Sequence, residues 1–228
     1  MIDVLDKGYV RLVHAYGGDI DIANAARASF QKESTEFSEG DAKLIKFLGA
    51  RQEGSPFRHV FATLEIKAPL FVARQWWKYV VGSDHTMETA WNEASRRYVT
   101  MEPEFYIPGP DQWRSAPENK KQGSGEPVDD AYGKELTKRM EHMSQDCLDM
   151  YNLAMDNGIA AEQARLFLPA YAMYTIWRWT ASLQGIGFFL SQRLEDKAQK
   201  EIQDYAKAVY ELVEPHFPVG LPAFIGER

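Results

Sequence analysis

The order of the apolar patterns along the chain limits its possible folds more than any other feature of the sequence. Residues 10–15, and Val60 through Ile66, place apolar side chains at every second position, which is typical of half-buried strands. Residues 21–26 and 44–48 have helical spacing instead. Because helices and strands do not alternate regularly, a parallel doubly wound sheet is disfavoured. The patterns predict an α+β fold.

Capping signals and turn residues predict where the elements begin and end. Ser38 to Asp41 resembles a capping box that opens a helix. Pro69 suits the first turn of a helix that continues to Lys78, and residues 108–127 are rich in loop-forming types. An aromatic strand is expected over residues 171–180, and helices over 162–168, 182–193 and 197–213.

A long amphipathic helix is predicted in the second half of the chain. Its apolar residues recur at four-three spacing, and Gly158 follows as a stop signal. The stripe consists of Leu136, Met140, Met143, Cys147, Met150 and Ala154. Cys147 is the only cysteine and lies among methionines, with nothing nearby to lower its pKa, so we reject it as a nucleophile.

Length and composition indicate one domain that spans residues 1–228. No linker or internal repeat interrupts the 228 residues, and no apolar run is long enough to cross a membrane. The acidic N-terminal residues do not resemble a secretory signal, and a single cysteine suits a reducing compartment. We therefore expect a cytoplasmic protein that does not associate with membranes.

The net charge and the missing motifs narrow the possible functions. A formal charge of -7 argues against binding to nucleic acid polymers, although a mononucleotide needs only a few well-placed donors. The sequence has no dinucleotide fingerprint, no phosphate-binding loop that ends in Lys-Ser or Lys-Thr, and no Gly-x-Ser-x-Gly. Its five histidines are scattered, so no metal site is expected.

Three segments combine the residue types that bind nucleotides. Asn92 to Tyr98 contains two adjacent arginines beside a serine, which could hold a phosphate or could form a solvated surface turn. Residues 73–79 combine cations, an amide and aromatic rings, which could stack on a base or pack in an interface. Glu162 to Pro169 and Arg193 complete the set, although a cation at the end of a helix is also ordinary dipole pairing.

Together and in this order, these segments resemble the flavin-dependent thymidylate synthases. The matching stretches are Asn24 to Phe30, Ser55 to His59, Lys67 to Trp76, Asn92 to Tyr98, Glu162 to Arg165 with Leu168 and Pro169, and Arg193 to Ile202. The resemblance implies helices packed on an antiparallel sheet and a homotetramer whose active sites form between subunits. It also implies conversion of dUMP to dTMP with methylenetetrahydrofolate, FAD and NADPH.

The resemblance assigns roles to individual residues. The positions that bind the nucleotide are Gln75, Lys78, Glu93, Ala94, Ser95, Arg96, Arg97, Arg165 and Arg193. The positions that bind FAD are Ser29, Ser55, Lys78, Tyr79, Val80, Glu93, Ser182, Gln184 and Phe188. Arg193 is the expected catalytic residue, because a permanent positive charge favours the uracil that has lost its N3 proton.

The sequence departs from the family at the expected flavin contacts. Lys78-Tyr79-Val80 replaces the usual Arg-His-Arg, and residues 84–91 are an insertion. Ser182-Leu183-Gln184 replaces an Asn-x-Arg pattern. The departures suggest that other contacts hold FAD, with Lys78, Tyr79, Trp77 and the inserted His85 as candidates.

Two alternatives to a thymidylate synthase follow from the same residues. The first is a relative that acts on UMP, or that installs another one-carbon group at carbon 5, since a fold does not fix a function. The second is a nucleotide-binding or assembly protein that lost catalysis with the flavin motif. Retention of Glu93, Ser95, Arg97, Arg165 and Arg193 argues against the second alternative.

Overall fold

Five strands form one antiparallel sheet in the computed structural model, which describes residues 1–79, 90–93, 102–118 and 123–226. The order across the sheet is β1-β2-β3-β5-β4, and the pairing of β2 with β3 shifts between Leu12 and His14. The strands are β1 (Ile2–Val4), β2 (Gly8–Tyr16), β3 (Phe61–Pro69), β4 (Ala90–Glu93) and β5 (Tyr174–Ser182).

Helices pack against this sheet, so the predicted α+β class is confirmed. They are α1 (Asp19–Arg27), α2 (Glu39–Ala50), α3 (Leu70–Trp77), α4 (Asp130–Asp156), α5 (Ala161–Ala164), α6 (Leu183–Arg193), α7 (Lys200–Val213) and α8 (Gly220–Ile225). The sequence patterns did not predict β1, β4 or α8. The aromatic strand starts at Tyr174 rather than at residue 171, because the N–H groups of Ala172 and Met173 bond the Pro169 carbonyl in a turn.

The predicted capping box at Ser38 is confirmed, and it does more than begin α2. Ser38 Oγ accepts from the Asp41 N–H at 3.3 Å, while Asp41 Oδ2 accepts from the Ser38 N–H at 2.7 Å. The Asp41 carboxylate is fully buried and also accepts from Arg27 at the end of α1. The Ser38 hydroxyl, and then the Arg27 guanidinium, hold the pKa of Asp41 well below its usual range. Asp41 therefore fastens α1 to α2.

An aromatic cluster fills the core between the sheet and helices α3, α6 and α7. Trp76 of α3 is fully buried, stacks on Phe189 of α6 at 4.3 Å, and meets Trp177 and Trp179 of β5 edge-on. The alternation predicted for β3 is confirmed, since Ala62, Leu64 and Ile66 are all fully buried. These contacts fix α3 and α6 to each other and to the sheet.

The opposite face of the sheet carries a polar row centred on Glu65. Its carboxylate accepts hydrogen bonds from Tyr9, Arg11 and Arg178 on the two neighbouring strands. Burial of Glu65 favours protonation, but these three donors outweigh it and lower the pKa of the carboxyl. Arg178 is also paired in register with Asn92 of β4, the strand that leads into the predicted nucleotide segment.

The apolar stripe of α4 is only partly covered by the protomer. Met140, Leu148 and Tyr151 pack on a small cluster formed by Phe105, Leu168 and Ala172. Met143 and Met150, which belong to the predicted stripe, are 49% and 44% exposed. The structure therefore leaves an exposed apolar strip on α4.

The Asp19 carboxylate connects the start of α1 to the start of α8, which lie near opposite ends of the chain. Asp19, at the start of α1, accepts from the N–H groups of Val219 and Gly220 at 2.7 and 2.9 Å. Gly220 begins α8, and a Cβ there would lie 2.8 Å from Asp19 Oδ1 and 2.6 Å from Ile22. Glycine at this position therefore permits the close approach of α8 to α1.

Candidate active site

The end of α3 and the end of α6 meet at the surface and bring three predicted residues together. Lys78 and Tyr79 directly follow α3, and Arg193 is the last residue of α6. The Arg193 guanidinium lies over the Tyr79 ring, with Cζ at 5.4 Å from the centroid, and Lys78 Nζ lies 5.2 Å from the same centroid. We call this group the α3–α6 junction.

The charges of the junction affect each other. Partial burial, and then the positive charge of Arg193, lower the pKa of Lys78. Burial raises the pKa of Tyr79 to about 12 and outweighs the opposite effect of Arg193. Arg193 Nε is buried and has no hydrogen-bond partner among the described residues. The junction is therefore a concentration of positive charge with an unused buried donor, which suits an anionic ligand.

Gln75, another predicted nucleotide residue, lies in the last turn of α3 and is held by a residue before α7. Its Nε2 donates to Gln199 Oε1 at 2.5 Å, and Gln199 precedes the first turn of α7. Tyr79 is bridged to α6 in the same way, since its hydroxyl donates to Gln192 Oε1 at 2.8 Å. Two hydrogen bonds thus connect the end of α3 to the segment from α6 to α7.

A second set of predicted residues lies at the opposite end of α6. Ser182 caps this helix by accepting from the Gly185 N–H at 3.3 Å. Gln184 packs against the turn that contains Ser55, so closely that a Cβ at Gly54 would collide with the Gln184 amide. Gln184 Oε1 is buried without a partner among the described residues. This oxygen is free to accept a hydrogen bond from a ligand.

Exposed aromatic side chains accompany the two sets. Phe188, in the middle of α6, is 51% exposed and contacts the Tyr79 ring, with centroids 5.8 Å apart. Trp77 at the end of α3 is 49% exposed. Ser29 is exposed on the short turn after α1. Helix α6 thus contains both the predicted flavin positions Gln184 and Phe188 and the predicted nucleotide position Arg193.

For the remaining predicted residues, the described part of the chain shows no contact with the junction. Arg165 is exposed, and its Nε donates to the Glu162 carbonyl within the turn that follows α5. The backbone of Glu93 ends β4. Outside the described residues lie Val80, His85, Ala94, Ser95, Arg96 and Arg97. Their roles stay predictions.

Two glutamines of the junction were not predicted from the sequence. Gln199 lies within the matching stretch from Arg193 to Ile202, so its position was noted but its contact with Gln75 was not. Gln192 gave no signal, because an amide near the end of a helix is an ordinary surface residue.

Neither a membrane-spanning helix nor a metal-binding group is found in the described residues. No helix there is both long and apolar enough to cross a bilayer. No three His, Cys, Asp or Glu side chains among those residues are grouped so that they could hold an ion.

Comparison with known proteins gives one consistent result. The family model described as thymidylate synthase complementing protein matches residues 11–219. A flavin-dependent thymidylate synthase of Thermus thermophilus is 37% identical over 223 residues, which cover 98% of this chain and 77% of that protein. The protein of the same name from Thermotoga neapolitana is 34% identical over 227 residues, covering 98% and 94%.

A solved structure has the same fold. It is the UMP/dUMP methylase PolB from Streptomyces cacaoi bound with 5-Br dUMP, which superposes with a TM-score of 0.82. The two chains are 26% identical, and the match covers 98% of this chain and 97% of that one.

Proposed function

This chain belongs to the flavin-dependent thymidylate synthase family, and we propose that it converts dUMP to dTMP by reductive methylation of uracil carbon 5. The relatives named above are flavin-dependent thymidylate synthases by name, and their sequences align with nearly the whole of this chain. We further propose that the flavin is FAD, that methylenetetrahydrofolate provides the carbon, and that NADPH provides the reducing equivalents.

One observation of this chain carries the proposal. The Arg193 guanidinium and the Lys78 ammonium lie 5.4 and 5.2 Å from the centroid of the Tyr79 ring, and Gln75 lies one turn earlier on α3. Two cations close together are stabilised by an anion, and both a nucleotide phosphate and a uracil that has lost its N3 proton are anions. The buried Arg193 Nε has a donor to offer such a group.

The residues expected at the flavin positions fit a flat heterocycle with imide and carbonyl groups. Gln184 Oε1 is a buried acceptor without a partner among the described residues, and Phe188 presents an exposed ring on the same helix. Glycine at position 54 leaves the space that Gln184 occupies. Bound there, FAD would supply the hydride that reduces the transferred carbon.

The protein's own residues bind, orient and polarise the nucleotide in this proposal. Arg193 stabilises negative charge on the uracil ring and so makes carbon 5 more nucleophilic. Gln75 is positioned by Gln199 to bind a polar edge, and Lys78 adds charge beside it. Arg97 and Arg165 are proposed to bind the nucleotide as well.

We propose that the active protein is a homotetramer with sites shared between subunits. The exposed apolar strip of α4 supports assembly, and the exposed Arg165, whose described hydrogen bond is to the local Glu162 carbonyl, is proposed to complete the site of a second copy. Closed symmetry would bury the same patch on every subunit. We also propose that residues 1–228 form one domain that works in the cytoplasm.

The test combines a spectrum with a turnover assay. The purified protein is expected to show the absorbance of bound oxidised flavin, and to form dTMP from dUMP when methylenetetrahydrofolate and NADPH are added. UMP is supplied in a parallel assay. A colourless protein that forms no methylated product after addition of FAD would contradict the proposal, and a higher kcat/KM for UMP would favour the ribonucleotide alternative.

A further inference from the structure

Tyr79 is the residue around which the α3–α6 junction is organised. It is only 6% exposed and packs edge-on against Phe189, with centroids 5.1 Å apart at an interplanar angle of 89°. Its hydroxyl is fixed at the other end of the ring by the 2.8 Å hydrogen bond to Gln192. A ring held at both ends has one orientation, and so do the groups that lie on its surface.

The guanidinium that lies over the Tyr79 ring belongs to Arg193, the proposed catalytic residue. A guanidinium over an aromatic face is attracted by the negative charge of the ring, most strongly where water is excluded. Arg193 Cζ lies 5.4 Å from the Tyr79 centroid, and its Nε is buried. Since Gln192 is the residue before Arg193, the hydrogen bond and the ring contact together hold one turn of α6 against α3.

We propose that Tyr79 is a positioning residue that orients the Arg193 guanidinium for catalysis, with Gln192 fixing the tyrosine. The proposal rests on the function proposed above. It gives this chain its own substitute for the histidine that the family's Arg-His-Arg motif has at the Tyr79 position. Tyr79 acts through Arg193 and Lys78, so a direct contact between its ring and FAD is not required.

The chemistry of tyrosine suits this role. The phenol is neutral at working pH, since burial raises the pKa of Tyr79 to about 12. Its hydroxyl donates to Gln192, and both the phenol oxygen and the ring contact Arg193. A histidine could instead gain a positive charge beside Lys78 and Arg193, where it would be repelled. Tyr79 therefore leaves both cations free to act on a bound anion.

Kinetic assays on three variants test the proposal. Tyr79→Leu removes the ring, and we expect kcat to fall roughly 5- to 30-fold, the range of a desolvated cation–π contact. Gln192→Leu removes the hydrogen bond from the Tyr79 hydroxyl, and kcat should fall roughly 2- to 5-fold. Tyr79→Phe removes that bond and also the phenol oxygen that accepts from Arg193, so its loss should be at least as large. Their double variant should lose no more than Tyr79→Phe alone, because Gln192 acts through the Tyr79 hydroxyl.

A pH profile separates positioning from general stability. A poorly placed guanidinium favours N3 deprotonation of the uracil less. The increase of kcat with pH should therefore occur at higher pH in Tyr79→Leu, and the same shift is expected in Arg193→Lys. Tyr174→Phe is the matched control, since Tyr174 is 3% exposed and donates to Asp6 at 2.6 Å. It should lose stability but keep the wild-type pH profile.

A spectroscopic measurement is independent of turnover. The Arg193 Nε–H proton, assigned by its disappearance in Arg193→Lys, should show an upfield ring-current shift in the NMR spectrum of the wild-type protein. The shift should persist in Tyr79→Phe and vanish in Tyr79→Leu. If Tyr79→Leu does not fold, the comparison of wild type, Tyr79→Phe and Gln192→Leu remains.

The outcomes distinguish the two proposals. A wild-type protein that makes no dTMP but shows the ring-current shift contradicts the function and leaves the placement of Arg193 by Tyr79 intact. An active wild type, with unchanged kcat and pH profile in Tyr79→Leu, overturns the positioning role alone. Unchanged kcat in both Tyr79→Phe and Gln192→Leu overturns the role of Gln192.

Discussion

The guanidinium of Arg193 stays charged at any working pH, so its effect on turnover can be separated from its effect on binding. We expect Arg193→Ala to lower kcat by about 100-fold, as for removal of one donor to a developing negative charge, with a smaller change in dUMP affinity. Arg193→Lys should recover little of this loss, because lysine lacks the planar fork. Single-turnover formation of dTMP and calorimetric titration with dUMP measure the two effects.

The control for Arg193 is an arginine that also lies near the end of a helix. Arg51 follows α2 and pairs with Glu53 at 3.2 Å, with both side chains exposed. Exposed pairs of this kind contribute little, so Arg51→Ala should keep wild-type turnover. If Arg193→Ala leaves kcat unchanged and loses dUMP affinity by the same factor as kcat/KM, Arg193 is a binding residue only.

The buried carboxylate of Asp41 predicts a pH dependence of stability. Its pKa is lowered in the folded state, so its stabilisation is complete above the pKa of an unfolded aspartate, declines below it, and is lost as the pH falls through the lowered pKa of the folded state. Asp41→Asn should lower the free energy of unfolding by about 2–3 kcal/mol near neutral pH, the contribution of charge-assisted hydrogen bonds.

Urea denaturation across the acidic range checks this expectation. Wild-type stability should decline below about pH 4, the pKa of a free aspartate, and the difference from Asp41→Asn should shrink there. Glu39→Gln is the comparison, because Glu39 lies in the same first turn of α2 but is exposed. A pH-independent difference between wild type and Asp41→Asn would mean that folding does not lower the pKa of the Asp41 carboxyl.

At the scale of one helix, α3 offers two adjacent tryptophans in opposite environments. Trp76 is fully buried and contacts four aromatic rings, among them Trp177 and Phe189, whereas Trp77 is 49% exposed. Trp76→Ala should destabilise the protein by about 3–5 kcal/mol through the cavity that it leaves. Trp77→Ala should change stability by less than about 1 kcal/mol.

Guanidinium denaturation and flavin content together distinguish the two positions. Trp76→Ala should lower the denaturation midpoint, and with it the flavin content, because the junction loses its support. Trp77→Ala should keep the midpoint, and a loss of flavin without a change of midpoint in this variant would assign Trp77 to the flavin site. Equal destabilisation by both substitutions would contradict the packing of α3.

The elements that could be predicted from sequence are those whose pattern is local. The alternation through Val60 to Ile66, the capping box at Ser38 and the stop at Gly158 each depend on a few neighbouring residues. Strand β1 has only three residues and α8 only six, too few for a periodic signal. The sequence does not distinguish Trp76 from Trp77, because the environments of adjacent positions on a helix differ only once the packing is known.

In the candidate site, too, the residues could be predicted from the sequence but their long-range contacts could not. Gln75, Lys78 and Arg193 could be selected by resemblance, since each lies in a matching stretch of sequence. The contact of Arg193 with Tyr79 could not, because residues 114 positions apart meet only when α3 and α6 pack around the aromatic core. Long-range partners such as Gln192 and Gln199 follow from tertiary structure alone.

At the scale of the whole molecule, the exposed strip of α4 predicts assembly. Met143, Met150 and Leu153 are between 44% and 54% exposed, more than a stable monomer usually leaves on one helix. We expect a tetramer by sedimentation at micromolar concentration, and Met150→Glu should shift it toward smaller species. Lys138→Glu, on the same helix, should leave the tetramer intact. A wild-type monomer would remove the basis for shared sites.

The bond from Asp19 to the start of α8 has a consequence for the order of folding. The carboxylate and the Gly220 N–H are separated by 201 positions in the chain. During synthesis α1 leaves the ribosome long before its partner exists, and contacts of such long range are slow to form. Until then Asp19 must remain hydrated, and the apolar face of α1 lacks its cover. Nascent chains stalled before Val219 should therefore be cleaved by protease near α1, and chains released after Gly226 should resist.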